Sequence, residues 1–263
     1  MRRVVALGFQ DIIVDGPDAS APSPTRLQLR ASELERLLSE LRHLGYQTVS
    51  SRAFRQWQGG AGVLPERSMV LTFDDGHASH LELVVPLLLR FRSSGTFFIA
   101  VDRIGQPDYL NWDQLRKLIF LGMEIGSRGA PQGLPGPASK TRLVDELIRS
   151  RELLEDRLGV PVRALAVPGG DWNGAIASAA RRAGFDAVWI STLGTNGRDT
   201  HPFGLRRIPV RQPFSLQSVI ALIDGWQPTF RWAARHEVAI RTLKRVLGVY
   251  GYERLKRRLV PKA

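Results

Sequence analysis

The fold of this chain is decided by residues 68–76, which read Ser-Met-Val-Leu-Thr-Phe-Asp-Asp-Gly. A short apolar run that ends at a glycine predicts a strand buried on both faces. Asp74 and Asp75 then stand at the carboxyl end of this strand, where parallel α/β folds build their sites. The same residues also suit an ordinary turn, since Asp-Gly is a common turn pair. The stretch therefore predicts a core strand and two candidate site carboxylates.

The composition is that of a globular protein. The 263 residues are 43% hydrophobic and include no cysteine, which excludes disulfides, thiolate metal sites and cysteine nucleophiles. The apolar run near the N-terminus, about six residues, is shorter than the ~7–15 of a signal peptide, so Val4–Leu7 is predicted to be the first core strand. No run approaches the ~18 apolar residues of a membrane span. We therefore expect a soluble, cytoplasmic protein.

The net charge of +12 is concentrated at the carboxyl end. From Arg231 onward, ten Lys and Arg stand against two Glu, a net charge of +8. Apolar residues recur among them, which predicts one or two basic amphipathic helices. Such a tail either packs on the main domain or faces an anionic membrane surface or partner, with nucleic acid a weaker candidate because charge alone carries no specificity. We therefore expect a main domain over residues 1–230 and a basic extension over residues 231–263.

Strand-like and helix-like segments alternate six or seven times along the main domain. This alternation predicts a parallel sheet with covering helices, either a barrel or a doubly wound sheet. The chain has no G-x-G-x-x-G motif after an early strand and no phosphate-loop motif, so dinucleotide binding lacks local support.

Several phrases of the sequence, taken in order over residues 4–225, resemble the polysaccharide deacetylase family, also called the NodB-homology domain or carbohydrate esterase family 4. The resemblance implies a distorted (β/α)7 barrel and a lineage that removes acetyl groups from carbohydrates. The phrases are Thr72–Gly76 for the first motif, Gly95–Ile99 for the next strand, Leu121–Ser127 before the second motif, Val167–Gly170 for the third, Trp189 for the fourth and Arg207–Val210 for a late strand.

The resemblance also implies a chemistry. In the family the first aspartate, here Asp74, is the general base, and the second, here Asp75, binds a divalent metal, usually zinc. Two histidines of an H-x-x-x-H phrase complete a three-ligand site whose open positions hold water and the acetyl oxygen. A late histidine acts as general acid, and a third-motif arginine orients the base.

The sequence departs from the family at these chemical positions. Arg128 and Gln132 stand where the two histidines would be, and neither is a good zinc ligand. Ala166 stands at the position of the third-motif arginine, and residues 215–225 contain no histidine. We expect no metal cofactor, with zinc or another divalent metal bound only if the site is rewired.

Arg128 is the most informative of these replacements. Because planar guanidinium suits carboxylates, we expect Arg128 to occupy the vacated metal position and to pair with Asp75, and with Asp74 as well. The alternative is a solvated loop arginine. His77 and His80 offer a second alternative, a rewired metal site with Asp75, although both also suit ordinary cap or surface roles.

The candidate substrate-binding residues are Arg128, Pro168, Gly170, Trp172 and Trp189, the two tryptophans because an aromatic face suits a sugar ring. Each tryptophan equally suits packing in the core or at the rim. The sequence thus predicts a deacetylase-like protein that binds an acetylated glycan with weak, altered or lost metal-dependent catalysis, a pseudoenzyme in the extreme case. Two alternatives stay open: an active deacetylase that uses Asp74, Asp75, His77 and His80, and a peripheral membrane or scaffold protein that acts through its basic tail.

Overall fold

The strand predicted from residues 68–76 lies at the centre of the fold. In the computed structural model, β5 covers Ser68–Asp75 and is buried over all but its last residue. It pairs in parallel with β1, Val4–Phe9, on one side and with β6, Thr96–Ile99, on the other. Burial of both of its faces explains why its sequence is apolar without alternation.

The structure describes residues 2–16, 28–129, 140–167 and 173–210, together with 219, 220 and 223. The remaining strands are β2 Asp11–Ile13, β3 Gln28–Arg30, β4 Gln47–Thr48, β7 Glu124–Ser127, β8 Ala164–Ala166, β9 Ala187–Ile190, β10 Thr195–Asn196, β11 Leu205–Arg206 and β12 Ile208–Pro209. The helices are α1 Ala31–His43, α2 Ser51–Gln58, α3 Val85–Arg90, α4 Trp112–Phe120, α5 Lys140–Leu158 and α6 Gly174–Arg182, with a π-helix at His80–Val84 before α3 and short 3-10 turns at Val101–Arg103 and Pro202–Gly204.

The main sheet curls into a barrel that is closed by the last two strands. Its hydrogen-bonded order is β10-β1-β5-β6-β7-β8-β9-β11, and β12 returns to pair in parallel with β1. Since β11 pairs with β9 and β12 pairs with β1, the five residues Leu205–Pro209 join the two ends of the sheet. The predicted distorted (β/α)7 barrel is confirmed, and Arg207 lies at its point of closure.

The barrel interior is filled by side chains at the amino ends of the strands. Phe54 and Trp57 of α2 contact each other there, with ring centroids 5.8 Å apart. Phe54 also contacts Trp189 of β9, at 5.7 Å. This packing closes one end of the barrel with apolar surface and leaves the carboxyl ends of the strands for polar groups.

Contacts within the chain separate a first compact unit, Met1–Val219, from a second, Ile220–Ala263. The barrel lies in the first unit. The predicted boundary after residue 230 and the basic extension 231–263 lie outside the described residues. Within the part of the chain that is described, no helix is both long and apolar enough to cross a membrane.

The barrel wall is tightly packed around Gly126. It lies in β7 opposite Phe98 of β6, and a Cβ there would come within 2.6 Å of the Phe98 ring and 2.9 Å of the Ala164 carbonyl oxygen. We expect Gly126→Ala to lower the free energy of unfolding by about 1–3 kcal/mol through overpacking, as measured by urea denaturation.

Gly174 is the matched control. At this first residue of α6 a Cβ would meet no atom within 4 Å. Gly174→Ala should therefore be neutral or stabilise the protein by up to about 1 kcal/mol. Equal destabilisation by the two variants would contradict the packing assigned to Gly126.

Candidate functional site

The two carboxylates of β5 lie at the carboxyl end of the barrel strands. Asp74 is 8% exposed, and Asp75 is only slightly more accessible. The backbone changes direction at this point, because Asp75 and Gly76 have φ of 74° and 81°. A left-handed conformation is costly for a residue other than glycine, so surrounding contacts must hold Asp75 in place. The predicted position at a strand end is confirmed, and so is a sharp turn.

Asp74 is held by Arg207, which the sequence analysis did not select as a site residue. Arg207 Nη1 donates to Asp74 Oδ1 at 2.6 Å and Nη2 donates to Oδ2 at 3.0 Å. Arg207 Nη1 also donates to Thr72 Oγ1, at 3.1 Å, and the guanidinium lies 5.3 Å from the centroid of the Phe98 ring. The pair is bidentate and buried, with Arg207 only 1% exposed. This geometry makes Arg207 the main counter-charge of Asp74.

Asp75 is held by Arg128, as the sequence predicts. Arg128 Nε donates to Asp75 Oδ1 at 2.8 Å, and Arg128 Nη2 lies 3.5 Å from Asp74 Oδ2. Gln10 Nε2 donates to the second oxygen, Asp75 Oδ2, at 2.6 Å. Arg128 Nη1 donates to the carbonyl oxygen of Ala166 at 3.1 Å, which fixes the guanidinium against β8. The predicted pairing of Arg128 with both acids is confirmed, and a solvated loop arginine is excluded.

The cluster is electrically balanced, with two carboxylates and two guanidinium groups. Burial by itself raises the pKa of Asp74, but the positive charges of Arg128 and Arg207 and the hydrogen bonds from Arg207 outweigh it. The pKa of Asp74 therefore lies below its ordinary value, and the carboxylate is ionised at neutral pH.

His77 and His80 lie beside the cluster but point elsewhere. The carbonyl oxygen of Gln10 accepts a hydrogen bond from His80 Nε2 at 2.6 Å, since a carbonyl can only accept. The His80 ring contacts two phenylalanines of the core, and burial lowers its pKa to about 4. His77 stacks on Tyr109, with ring centroids 4.8 Å apart. His80 is thus a neutral core histidine, which corrects the alternative of a surface or cap role.

The residues present do not fit a zinc ion. Asp75, the predicted ligand, uses both oxygens as acceptors for Gln10 and Arg128. Among the described residues, no group of three or more His, Cys, Asp or Glu side chains is arranged to hold a metal. Asp75, His77 and His80 do not form such a group among the described residues, where Nε2 of His80 bonds to the Gln10 carbonyl oxygen and the His77 ring stacks on Tyr109. A guanidinium beside Asp75 also repels a cation.

Trp189 corrects a further prediction. Its side chain is fully buried, and its Nε1 donates to Ser51 Oγ at 2.8 Å. The ring therefore belongs to the apolar core at the amino ends of the strands, where no sugar can reach it. The other predicted positions, Gln132, Pro168, Gly170 and Trp172, lie outside the described residues.

Arg207 was missed as a site residue because its phrase resembled only a late strand. A usable signal was nevertheless present. Arg207 stands within Leu205–Val210, a strand-like run, and a buried arginine in such a run requires an anionic partner. Asp74 and Asp75 were the obvious acids, but the sequence did not reveal that this strand closes the barrel beside β5.

The barrel and the paired acids at its carboxyl end together define the class, a NodB-type carbohydrate deacetylase fold. The structure of deacetylase PplD from Streptococcus pyogenes is similar, with a TM-score of 0.76 and 18% identity over 85% of this chain and 99% of that one. IcaB from Ammonifex degensii gives a TM-score of 0.74 and 22% identity, over 86% and 98% of the two chains. At these identities the likeness establishes the fold alone.

Sequence comparisons point to the polysaccharide deacetylase family. The polysaccharide deacetylase model matches residues 61–188. YxkH of Bacillus subtilis strain 168, a polysaccharide deacetylase only by provisional name, is 22% identical over 206 residues, 78% of this chain and 74% of its own. The poly-β-1,6-N-acetyl-D-glucosamine N-deacetylase of Escherichia coli K12 is 36% identical over 85 residues, 32% of this chain but only 13% of that enzyme. These matches support the resemblance to the polysaccharide deacetylase family, whose model covers just under half of this chain.

Removing Arg207 should reverse the pH dependence of stability that Asp74 contributes. In the wild type the pKa of Asp74 is lowered, so its contribution is present above the unfolded pKa, ~3.9, and is lost as pH falls. In Arg207→Met, burial is opposed by Arg128 alone and the pKa of Asp74 rises. We expect a loss of about 3–5 kcal/mol at pH 7 that becomes smaller as the pH is lowered toward 5, measured by urea denaturation.

Arg116→Met is the matched control, because Arg116 pairs with Asp113 at the surface and both side chains are largely exposed. It should cost no more than about 1 kcal/mol at either pH. Adding Asp74→Asn to Arg207→Met should recover part of the lost stability and flatten the pH dependence. If Arg207→Met lowered the free energy of unfolding no more than Arg116→Met does, the buried pair of Arg207 and Asp74 would not be a main source of stability.

Proposed function

We propose that this protein is a carbohydrate-binding member of the polysaccharide deacetylase family that lacks metal-dependent hydrolysis. The observation that carries the proposal is the engagement of both carboxylates. Each oxygen of Asp74 and Asp75 accepts a hydrogen bond from Arg207, Arg128 or Gln10 at 2.6–3.0 Å. A metal ion or a nucleophilic water would therefore have to compete with these donors for each oxygen.

The charge state of Asp74 argues against general base catalysis. A general base works best when its pKa lies near the operating pH. Burial and the two arginines leave the pKa of Asp74 lowered instead, so the carboxylate is a weak base. Its bidentate pair with Arg207 also engages both of its oxygens.

Arg128 supplies positive charge but none of the chemistry of a metal. A catalytic zinc offers open positions, lowers the pKa of a bound water and polarises the acetyl carbonyl. A guanidinium remains protonated and has only donors, three of which already point to Asp75, Asp74 and the carbonyl oxygen of Ala166. The arrangement therefore supports a stable cleft more strongly than it supports hydrolysis.

An acetylated amino-sugar polymer is the ligand class that we propose. The family resemblance supports a carbohydrate, and a relative's name specifies poly-β-1,6-N-acetyl-D-glucosamine as what that enzyme acts on. Near the carboxylates, Tyr109 is partly exposed, with His77 stacked on its ring and the Arg103 guanidinium 4.9 Å from the ring centroid. The exposed part of this aromatic side chain suits contact with a pyranose. Trp172 remains a predicted contact, and the membrane surface remains a predicted partner of residues 231–263.

The first test is metal content together with activity. After incubation with zinc and gel filtration, we expect well under one zinc per chain. We also expect no acetate release from poly-β-1,6-N-acetyl-D-glucosamine oligomers above that of a protein-free blank, and no change in Asp75→Asn. One zinc per chain with acetate release that Asp75→Asn abolishes would overturn the proposal.

The second test is binding of the same oligomers, compared with fully deacetylated oligomers, by titration calorimetry. We expect the acetylated form to bind more tightly, and Tyr109→Ala to weaken binding about three- to tenfold, as expected for one lost ring contact. Phe120→Ala is the control, since this ring is 87% exposed at the far end of α4. Absence of binding, or an equal loss in both variants, would contradict carbohydrate recognition at this edge.

A further inference from the structure

A second concave site lies at the opposite end of the barrel from Asp74 and Asp75. It is a pocket of about 410 Å³ between the carboxyl ends of α1 and α3 and the short strand β4. β4 pairs with the first residues of β5, so the pocket lies about 20 Å along the strand from the carboxylates, at ~3.3 Å per residue. This volume falls within the range of small-molecule sites, about 300–1,000 Å³.

The pocket combines some apolar surface with a basic rim. Phe91 is partly exposed and supplies apolar surface, Leu38 and Leu41 of α1 are buried in the lining, and Arg42 and Arg92 are exposed arginines of the lining. Neither guanidinium makes an ion pair or hydrogen bond with another residue in the described part of the chain. Two uncommitted positive charges beside apolar surface suit a ligand with a negative group and an apolar body.

The backbone at Arg92 provides an independent reason to examine this pocket. Arg92 follows the last turn of α3 with φ 51°, in the left-handed region. Its N–H donates to the Leu89 carbonyl oxygen at 3.0 Å, and the Ser93 N–H donates to that of Leu88 at 2.7 Å. These two bonds form a Schellman motif with Arg92 at the position that usually requires glycine.

Other helices of the same chain show what this position normally contains. The ends of α1, α2, α4 and α6 have the same pair of backbone hydrogen bonds and the same left-handed residue. In all four the residue is glycine, namely Gly45, Gly60, Gly122 and Gly184. Of these Schellman motifs in the described residues, the one at the end of α3 has an arginine, Arg92, where the others have glycine. Arg92 also lines the pocket.

Favourable interaction with the helix dipole does not explain this choice. A positive charge at the carboxyl end of a helix is stabilising, but Arg90 already provides one in the last turn of α3. A second arginine in a strained conformation would add little to that effect. Backbone strain of this kind is typically retained at positions where the side chain has a function.

We infer that this pocket binds a small organic oxyanion, with Arg42 and Arg92 holding the charged group and Phe91 contacting the apolar body. Arginine recognises oxyanions through paired N–H donors, which makes a phosphate or carboxylate the matching group. The inference is independent of the function proposed for the carboxylate cleft.

Phenyl phosphate is a suitable probe for titration calorimetry on the full chain at low salt. We expect saturable binding that is stronger than that of inorganic phosphate or benzyl alcohol, which carry the charged and apolar parts separately. Arg92→Gly should weaken binding at least about tenfold through loss of a charge-assisted contact. The same variant should raise Tm by about 2–4 °C, because glycine tolerates the left-handed backbone.

Two further variants separate the pocket from general charge effects. Arg92→Lys should keep the wild-type Tm and retain more affinity than Arg92→Gly, while Arg116→Ala, outside the pocket, should bind as the wild type does. Binding of phenyl phosphate that is absent, or equal in the wild type and Arg92→Gly, would overturn the inference. Since Arg92→Gly relieves strain, failure to fold would not obscure the result.

Discussion

The structure depends on the compensation of two adjacent carboxylates at the end of its central strand. Asp74 and Asp75 are nearly buried, and two such charges without partners would be strongly destabilising. Arg207 and Arg128 provide one guanidinium for each acid, at hydrogen-bonding distance. The backbone of Asp75 is left-handed, so the same contacts also hold an unfavourable conformation in place.

This compensation is coupled to closure of the barrel. Arg207 lies between the strand that pairs with β9 and the strand that pairs with β1, and its side chain reaches Asp74 of β5. Arg128 follows β7 and bonds both to Asp75 and to the carbonyl oxygen of Ala166 in β8. The arginines therefore tie strands that are far apart in sequence to the central strand, and the polar cluster contributes to the same closed sheet as the apolar core.

The sequence correctly predicted those features of the site that depend on local sequence pattern or on family resemblance. The apolar run before Asp74 identified a central strand, and the replacement of a metal-ligand position by arginine indicated the pairing of Arg128 with Asp75. It failed where the outcome depended on which face of a strand points inward. Trp189 was a candidate for the cleft, with core packing as the alternative, and it fills the core; Arg207 was assigned only to a strand although it is the partner of Asp74.

The two arginines matter together because of the charge that they balance. Two guanidinium groups bring two positive charges to the two aspartates, so the buried cluster is neutral. Their donors also bond to Thr72 and to the carbonyl oxygen of Ala166, which fixes both side chains in the barrel. An arginine at position 128 alone would leave one acid undercompensated. The second arginine allows a strand that ends in two buried acids to remain folded.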